Sequence, residues 1–586
     1  MTDLEFRRRV PCLILFLFLV VAGGSWATSP LLGQEDVGAN EGATEEAVVA
    51  EEVVAVDVEA AGPEAAADGV DPEAAAEEAE APDWQANIDD FFGKYVVAPV
   101  ETVIFFDFYT GPWKDSSGKA HPGWLGTSVP FVVAWLLLGG VFLTIRMGFI
   151  NLKAPWHAIQ LARGRYDNPD EPGEVTHFQA LSTALSATVG LGNIGGVAVA
   201  IGLGGPGATF WMIVVGLVGM STKFAECSLG QLYRTVDSRG HVLGGPMRYL
   251  KQGLTELGLP VLGKVLAFIF AILCIGASFG GGNAYQINQS LAAIRTDITF
   301  LDQYPWVYGL LMTVLVGVVI VGGIKSIGRV AGAIVPLMCM AYMLAALYIL
   351  FAHTEQIPAA LASVFTEAFT PGAGYGGVVG VMVIGIQRAA FSNEAGVGSA
   401  PIAHSAAKTD EPISEGIVAL LEPFIDTVLV CTTTALVIIV SQAHVDPANA
   451  DVIEAKEGAA LTLAAFRDGG HEWFGYVLFM AVVMFAFSTC ISWSYYGERS
   501  FVQLFGAGSS IVYRFIFLLF TFLGSIIAAT NVLAFSDLML LGMCLPNLLG
   551  VFLLSGVVKR RLDMYWQRYT SGDLDRQAEA YRESQS

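Results

Sequence analysis

Charged residues are scarce in this chain of 586 residues. They make up 15% of it, whereas 54% of positions are hydrophobic; a soluble globular protein carries about 25% charged residues. That balance excludes an ordinary soluble domain and marks a polytopic membrane protein, as does the mean hydropathy of +0.57. Lysine and arginine are missing altogether between Gln34 and Asp83, where seventeen acidic residues fall, so most of the net charge of −23 belongs to one hydrophilic segment. No basic stripe interleaved with aromatics occurs, which argues against nucleic acid as a partner. Of seven cysteines, Cys12 lies in the leader, and Cys227, Cys274, Cys339, Cys431, Cys490 and Cys544 fall in or at the ends of apolar runs. Without CxxC pairs or cysteines in external loops, neither a disulfide framework nor a zinc site is indicated. HExxH and P-loop signatures are absent too, so the chain does not read as an enzyme, and no cofactor is expected.

The first residues show an export pattern. Arg7, Arg8 and Arg9 precede an apolar run from Val10 to Ala22 and a small-residue stretch ending at Ala27, the layout of a signal peptide over 1–27. An uncleaved anchor is the alternative, and either one exports the segment C-terminal to it. Residues 28–83, rich in Ala, Glu, Val and Gly and free of aromatics, cannot bury enough surface to fold and read as a disordered acidic spacer. Aromatics return over 84–127, as expected of an interfacial region at the membrane boundary.

Eleven stretches of about twenty apolar residues make up most of the remaining chain: near 128–147, 176–203, 206–230, 262–290, 305–323, 329–352, 375–402, 415–442, 473–495, 510–529 and 531–557. Lys and Arg gather in alternate loops, after the first, third, fifth, seventh, ninth and eleventh spans. By the positive-inside rule the first span runs outside to inside and the C-terminus is cytoplasmic. That orientation agrees with an exported N-terminal segment and an inner (cell) membrane location.

Two spans are poor helices. The second and the turn that follows it carry Gly190, Gly192, Gly195, Gly196, Gly202, Gly204, Gly205 and Gly207 within eighteen positions, with Ser182, Thr183, Ser186, Thr188 and Asn193 gathered at the weak point. Each helical Gly costs about 0.8–1.0 kcal/mol relative to Ala. Close small-residue packing is one reading; a helix broken around a solute is the other. The seventh span matches it, with Gly385, Gly396 and Gly398 around Gln387, Arg388, Asn393 and Glu394. Each opens a group of five spans, and odd-numbered groups have opposite orientations. Glycine-interrupted spans at matching positions of two inverted halves point to a binding site at mid-membrane. The halves are 176–352 and 375–557, joined by an external loop over 353–374; 128–175 holds an additional helix with its loop, and 558–586 is a cytoplasmic tail.

The segments GLGNIGGVAVAIGLGGPGATFWM, GMSTKFAECSLGQLYR, NEAGVGSAPIAHSAAKT and EPFIDTVLVCTTTALVI resemble the alanine/glycine:cation symporter family, the sodium:alanine symporters, over about residues 128–560. The resemblance implies an all-α LeuT-type fold, a 5+5 inverted repeat plus one additional N-terminal helix. It also implies sodium-driven symport of small neutral amino acids, chiefly alanine and glycine. Thr188, Gly190, Gly192 and Asn193 match the unwound stretch that receives the substrate carboxylate. Gln387, or carbonyls beside it, would accept from the ammonium. Phe279 and Phe391 are candidate lids or walls, and Trp493 is a candidate floor. Carbonyls of Ala187 and Gly190 with the hydroxyls of Ser488, Thr489 and Ser492 form the implied sodium site, although mid-helix hydroxyls often bond only to their own turn. Among the ionisable residues of the spans, Arg388 and Glu394 form a candidate gate pair, Glu226 suggests structural pairing, and Glu422 and Asp426 are candidate anchors. Proton coupling on the same fold and a non-transporting sensor remain alternatives. The expected partners are the amino acid, sodium and lipid.

Overall fold

The computed structural model describes residues 91–97, 105–107, 110–111, 113–114, 120–121, 127–168, 170–236, 242–370, 377–471 and 473–585. The expected leader, the acidic spacer and most of 84–127 lie outside the described residues. Each of the eleven apolar stretches is helical. In order these are α1 (Phe131–Arg146), α2 (His177–Thr188) with α3 (Val197–Gly204), and α4 (Gly207–Leu232). Then come α5 (Pro260–Arg295), α6 (Pro305–Ile320), α7 (Gly323–Ala352) and α8 (Gly377–Asn393) with α9 (Ala400–His404). The series closes with α10 (Pro412–Val440), α11 (Phe474–Phe505), α12 (Ser510–Leu523), α13 (Ala529–Thr570) and α14 (Asp573–Gln585). Among the described residues, six single helices are long and apolar enough to cross a membrane, seven with the bent pair around residues 189–191. The stretches α1, α6, α8 and α12 have only 14 to 17 residues, so a count of eleven spans goes beyond helix length alone.

Polarity is distributed as a membrane protein requires. Val318, Phe351 and Ile511 are 75%, 73% and 77% exposed, while Lys223, Glu226, Glu415 and Glu422 have no exposure. Water would force the opposite arrangement; lipid rewards apolar surface and drives every polar group inward.

Both anomalous stretches are interrupted. A capping box starts α2: the Thr176 hydroxyl accepts from the Gln179 amide, and the Gln179 side chain accepts from the Thr176 amide. The helix ends at Thr188, and the chain resumes through a π-helical turn, Gly192–Gly196, into α3 with a bend of 51°. Between α8 and α9 the backbone turns through left-handed conformations at Gly396 (φ 91°) and Gly398 (φ 86°), which residues with a Cβ adopt only with strain. Glu394 adopts the same region at φ 55°. Around these breaks, α4 packs against α1, α8 and α10, α11 against α2, α5 and α7, and α13 against α5.

The glycines beyond the first break serve contact. The helix Gly458–Gly469 crosses the π-turn so closely that a Cβ on Gly458 would lie 2.0 Å from the Gly195 carbonyl oxygen. The Thr462 hydroxyl fastens the crossing by donating to the Ile194 carbonyl at 3.1 Å. Beyond α13, α14 folds back so that Tyr166 donates to Asp575 at 2.8 Å and Tyr581 to Asp170 at 3.1 Å. Gly458→Ala should destabilise the fold by about 1–3 kcal/mol through overpacking. Gly332→Ala in α7, whose new methyl meets nothing within 4 Å, should be neutral or stabilising by up to about 1 kcal/mol. Thermal unfolding in detergent, run on both variants, measures the contrast.

Candidate functional site

The interruption after α2 exposes peptide groups deep inside the protein, and side chains satisfy them. Asn193 is fully buried; its Oδ1 accepts from the Gly190 amide at 2.9 Å. Its Nδ2 donates to the carboxylate of Asp426 on α10 at 2.6 Å and to the Asp426 carbonyl at 3.1 Å. The Leu191 amide donates to Gln286 Oε1 on α5 at 3.0 Å. Asp426 is held in turn by the hydroxyls of Ser392 at 2.8 Å and Thr427 at 2.7 Å. Three helices, α5, α8 and α10, thereby brace one unwound loop.

Beside the loop lies a small cavity of about 10 Å³, room for about one water. Ala187, Thr188 and Gly192 line it from the first break, Phe391 and Glu394 from the second, and Trp493 from α11. Gln286, Gly281 and Leu540 complete the wall. The Trp493 indole donates to Glu394 Oε1 at 2.9 Å, and Ser399 donates to the other oxygen. A carboxylate and the start of a helical turn at Gly192 thus share one small cavity, the two charge preferences that an amino-acid zwitterion requires.

Of the expected substrate residues, Thr188, Gly192, Phe391 and Trp493 meet at this cavity. Gly190 and Asn193 stand behind it in the bracing of the loop. Phe279 does not reach the cavity: its ring is taken up by stacking on Phe520 and Tyr513 of α12, with centroids 4.7 and 5.7 Å away. Gln387 also stays out of the lining, one helical turn before Phe391 and half-buried. Glu394, Gln286, Gly281 and Leu540 were not expected there. Gln286 carried a signal, an amide inside an apolar span; Leu540 and Gly281 carried none.

The expected sodium ligands flank the seam between α2 and α11. Thr489 Oγ1 donates to the Ser186 carbonyl at 2.9 Å, and Ser186 Oγ donates to the Ser488 carbonyl at 2.7 Å. Thr489 Oγ1 also lies 2.5 Å from where a Cβ on Gly190 would stand. Ser492 Oγ is buried without a hydrogen-bond partner. The Ser488 hydroxyl turns off the seam, toward the Phe485 carbonyl at 3.0 Å and the sulfur of Met338 at 3.5 Å.

The suggested pairing of Arg388 with Glu394 is not what forms. Arg388 pairs with Asp537 of α13 and lies over the Phe391 ring, 5.3 Å from its centroid. Phe391 makes an edge contact with Tyr285 at 4.9 Å. Glu394 sits past the end of α8 and meets Trp493 and Ser399 instead. The pairing suggested for Glu226 is made by the Asn547 amide.

Comparison with known proteins places these features in company. The sequence profile of the sodium:alanine symporter family matches residues 121–580. The sodium/alanine symporter AgcS of Methanococcus maripaludis is 42% identical over 430 residues, covering 73% of this chain and 92% of that protein. The probable sodium/glutamine symporter GlnT of Bacillus subtilis is 31% identical over 446 residues, 75% of this chain and 89% of its own. Among solved structures, MhsT in complex with L-phenylalanine aligns with a TM-score of 0.46 at 14% identity, over 67% of this chain and 99% of that one.

The bracing of the loop can be measured. Asp426→Ala and Asn193→Ala should each lower the thermal midpoint by stranding buried donors or acceptors. Their double variant should show a coupling of about 0.5–3 kcal/mol, because both remove the same bond. Additivity within about 0.3 kcal/mol would mean the two side chains act separately.

Proposed function

The chain belongs to the sodium:alanine symporter family, and from that premise we propose that it couples sodium entry to uptake of alanine and glycine by alternating access. It is a multi-pass membrane transporter of the sodium/alanine symporter type. The observation that carries the finer reading is the cavity whose wall Gly192 and Glu394 share with Trp493 and Phe391. In this reading the substrate carboxylate sits at the helical turn beginning at Gly192, where amide dipoles favour an anion. The ammonium faces Glu394, whose oxygens Trp493 and Ser399 hold in place. Phe391, Trp493 and Leu540 wall the cavity closely enough to exclude long side chains, and alanine enters as these walls part during alternating access. Glu394 takes the role first expected of Gln387.

Sodium, as co-substrate, takes oxygens along the seam between α2 and α11: the carbonyls of Ala187 and Gly190 and the hydroxyls of Thr489 and Ser492. The unpartnered, buried Ser492 hydroxyl supports that position. Ser488 lies beside it. The Arg388–Asp537 pair over Phe391 and Tyr285 closes the outward path. The alternation of basic loops supports eleven spans in two inverted fives, the C-terminus in the cytoplasm. One charge crossing 100 mV supplies about 2.3 kcal/mol and a tenfold sodium gradient about 1.4 kcal/mol, together sufficient for accumulation of several hundred-fold.

Proton coupling is the second reading, and Asp426 is its observation, a fully buried carboxylate held by the neutral side chains of Asn193, Ser392 and Thr427. Labelled alanine and glycine uptake into proteoliposomes separates the two. Uptake should require an inward sodium gradient; uptake that survives sodium replacement and collapses with a protonophore would favour the proton. Thr489→Ala should raise half-saturating sodium by about tenfold, about 1.4 kcal/mol, with a smaller change in alanine affinity. An unaltered sodium dependence in that variant would remove Thr489 from the ion site.

A further inference from the structure

A second set of ionisable groups lies apart from the cavity, and the transport reading makes no use of it. Lys223 of α4 donates to Glu422 Oε2 at 3.2 Å. The other Glu422 oxygen meets His404 Nε2, and His404 Nδ1 meets Glu415 Oε1 at 2.5 Å. The second Glu415 oxygen meets His177 Nδ1, and His177 Nε2 lies 3.8 Å from Asp167. Lys223, Glu422, His404 and Glu415 are entirely buried. Asp167 is about one-third exposed and stands, with Glu171 and Asp410, in the wall of an open cavity of about 390 Å³. Burial pushes the Asp167 carboxyl above its ordinary range, with Glu415 adding to the rise and His177 opposing it. The chain of contacts therefore runs from the protein interior to one surface, the face that the basic loops assign to the cytoplasm.

His404 is the informative member. A neutral imidazole has one N–H and one lone pair, yet each ring nitrogen of His404 faces a carboxylate oxygen. The arrangement closes only if an additional proton sits on the ring or on one of the two carboxylates. With both imidazoles protonated, Lys223, His404 and His177 balance Glu422, Glu415 and Asp167. The surrounding groups are accounted for: Gln231 donates to the His404 carbonyl, Arg234 to the carbonyls of Ser405, Ala407 and Thr409, Asn547 to Glu226, and Arg568 pairs with Glu411. The Cys227 thiol lies within 4.8 Å of His404 and Glu422. A metal ion there would compete with the Lys223 ammonium for Glu422 and with both ring contacts of His404.

We propose that His404 is a proton-binding site in exchange with the cytoplasmic face alone, and that its proton keeps that side of the transporter shut. The proposal rests on the reading of the chain as a sodium-driven alanine transporter. His177 opens α2 and His404 ends α9, so the network grips the inner halves of both broken helices and ties them to α10, which carries Glu415 and Glu422. Removing the proton leaves a ring lone pair against a carboxylate and an uncompensated buried charge. The tie between α9 and α10 loosens, and the inner side opens more readily. Glu415, His177 and Asp167 are the route by which the proton leaves and returns.

The test is sodium-driven alanine uptake by the full chain in proteoliposomes oriented with the C-terminal face lumenal, with lumenal and external pH set separately from about pH 6 to about pH 9. Uptake should rise with lumenal pH by up to about tenfold per unit, the limit for one titrating group, and be indifferent to external pH. A lumenal pH dye should record no net proton movement per alanine. His404→Gln, which keeps hydrogen-bonding atoms but binds no proton, should flatten the lumenal dependence. His177→Gln, cutting the route while leaving the site, should slow the response to a lumenal pH jump. Alanine entry indifferent to lumenal pH, or an unchanged slope in His404→Gln, would overturn the proton site and leave the transport reading standing. If His404→Gln does not fold, an unaltered pH-jump response in His177→Gln overturns the proposed route and with it the site's exchange. Absence of any sodium-driven alanine entry in the wild-type chain would remove the transport reading and this site together.

Discussion

Interrupting a helix inside a bilayer strands peptide groups that no lipid can satisfy, each at a cost of several kcal/mol. The interior of this protein is arranged around meeting that requirement between Thr188 and Gly196. Asn193 folds back on the Gly190 amide, Gln286 reaches over from α5, and Asp426 secures Asn193 from α10. Because these braces come from different helices, the loop is held in one geometry while still presenting backbone to the cavity. The second interruption, at Glu394–Gly398, is managed by left-handed backbone and by Trp493, Ser399 and Asn547. A transporter with intact helices would be easier to stabilise, but it would have no unwound backbone to offer a solute.

Much of the architecture was legible because the bilayer imposes simple rules on sequence. Apolar stretches mapped onto helices, and clustered glycines with polar residues located both interruptions to within a few residues. Thr188, Gly192, Phe391 and Trp493, grouped from the motifs they sit in, line one cavity. The errors have a common cause: hydropathy and motif spacing locate a residue along a helix axis without saying which neighbour occupies its side chain. Phe279 sits in a conspicuous glycine-rich segment, yet its ring is taken up by α12. Arg388 and Glu394 are six positions apart, but Arg388 meets Asp537, 149 residues later. Leu540, an ordinary leucine in an apolar helix, carries no mark of the cavity it lines.

Two ionic assemblies hold the helices around the cavity. The Arg388–Asp537 pair, with Phe391 against Tyr285, joins α8 to α13 and α5. A separate chain of buried ionic contacts spans α4, α9, α10 and α2. Neither opens cheaply: the side chains of Arg388 and Asp537 are only 6% and 12% exposed, and each ion that a buried contact releases must find a new partner or change its protonation.

The dependence of the first broken helix on distant partners also bears on how the protein comes to exist. Asn193 is bound to a carboxylate 233 residues downstream, and the Ser186–Thr489 cross-tie spans 303 residues. When α2 and α3 leave the ribosome, neither partner has been synthesised; the pair is apolar enough to enter a membrane, but its interruption still lacks the groups that brace it. Its residence in the membrane is provisional until α10 and α11 arrive. The unwound stretch that equips the finished molecule for its work is therefore the least settled part of the nascent one, and the order of synthesis makes the second half of the chain the chaperone of the first.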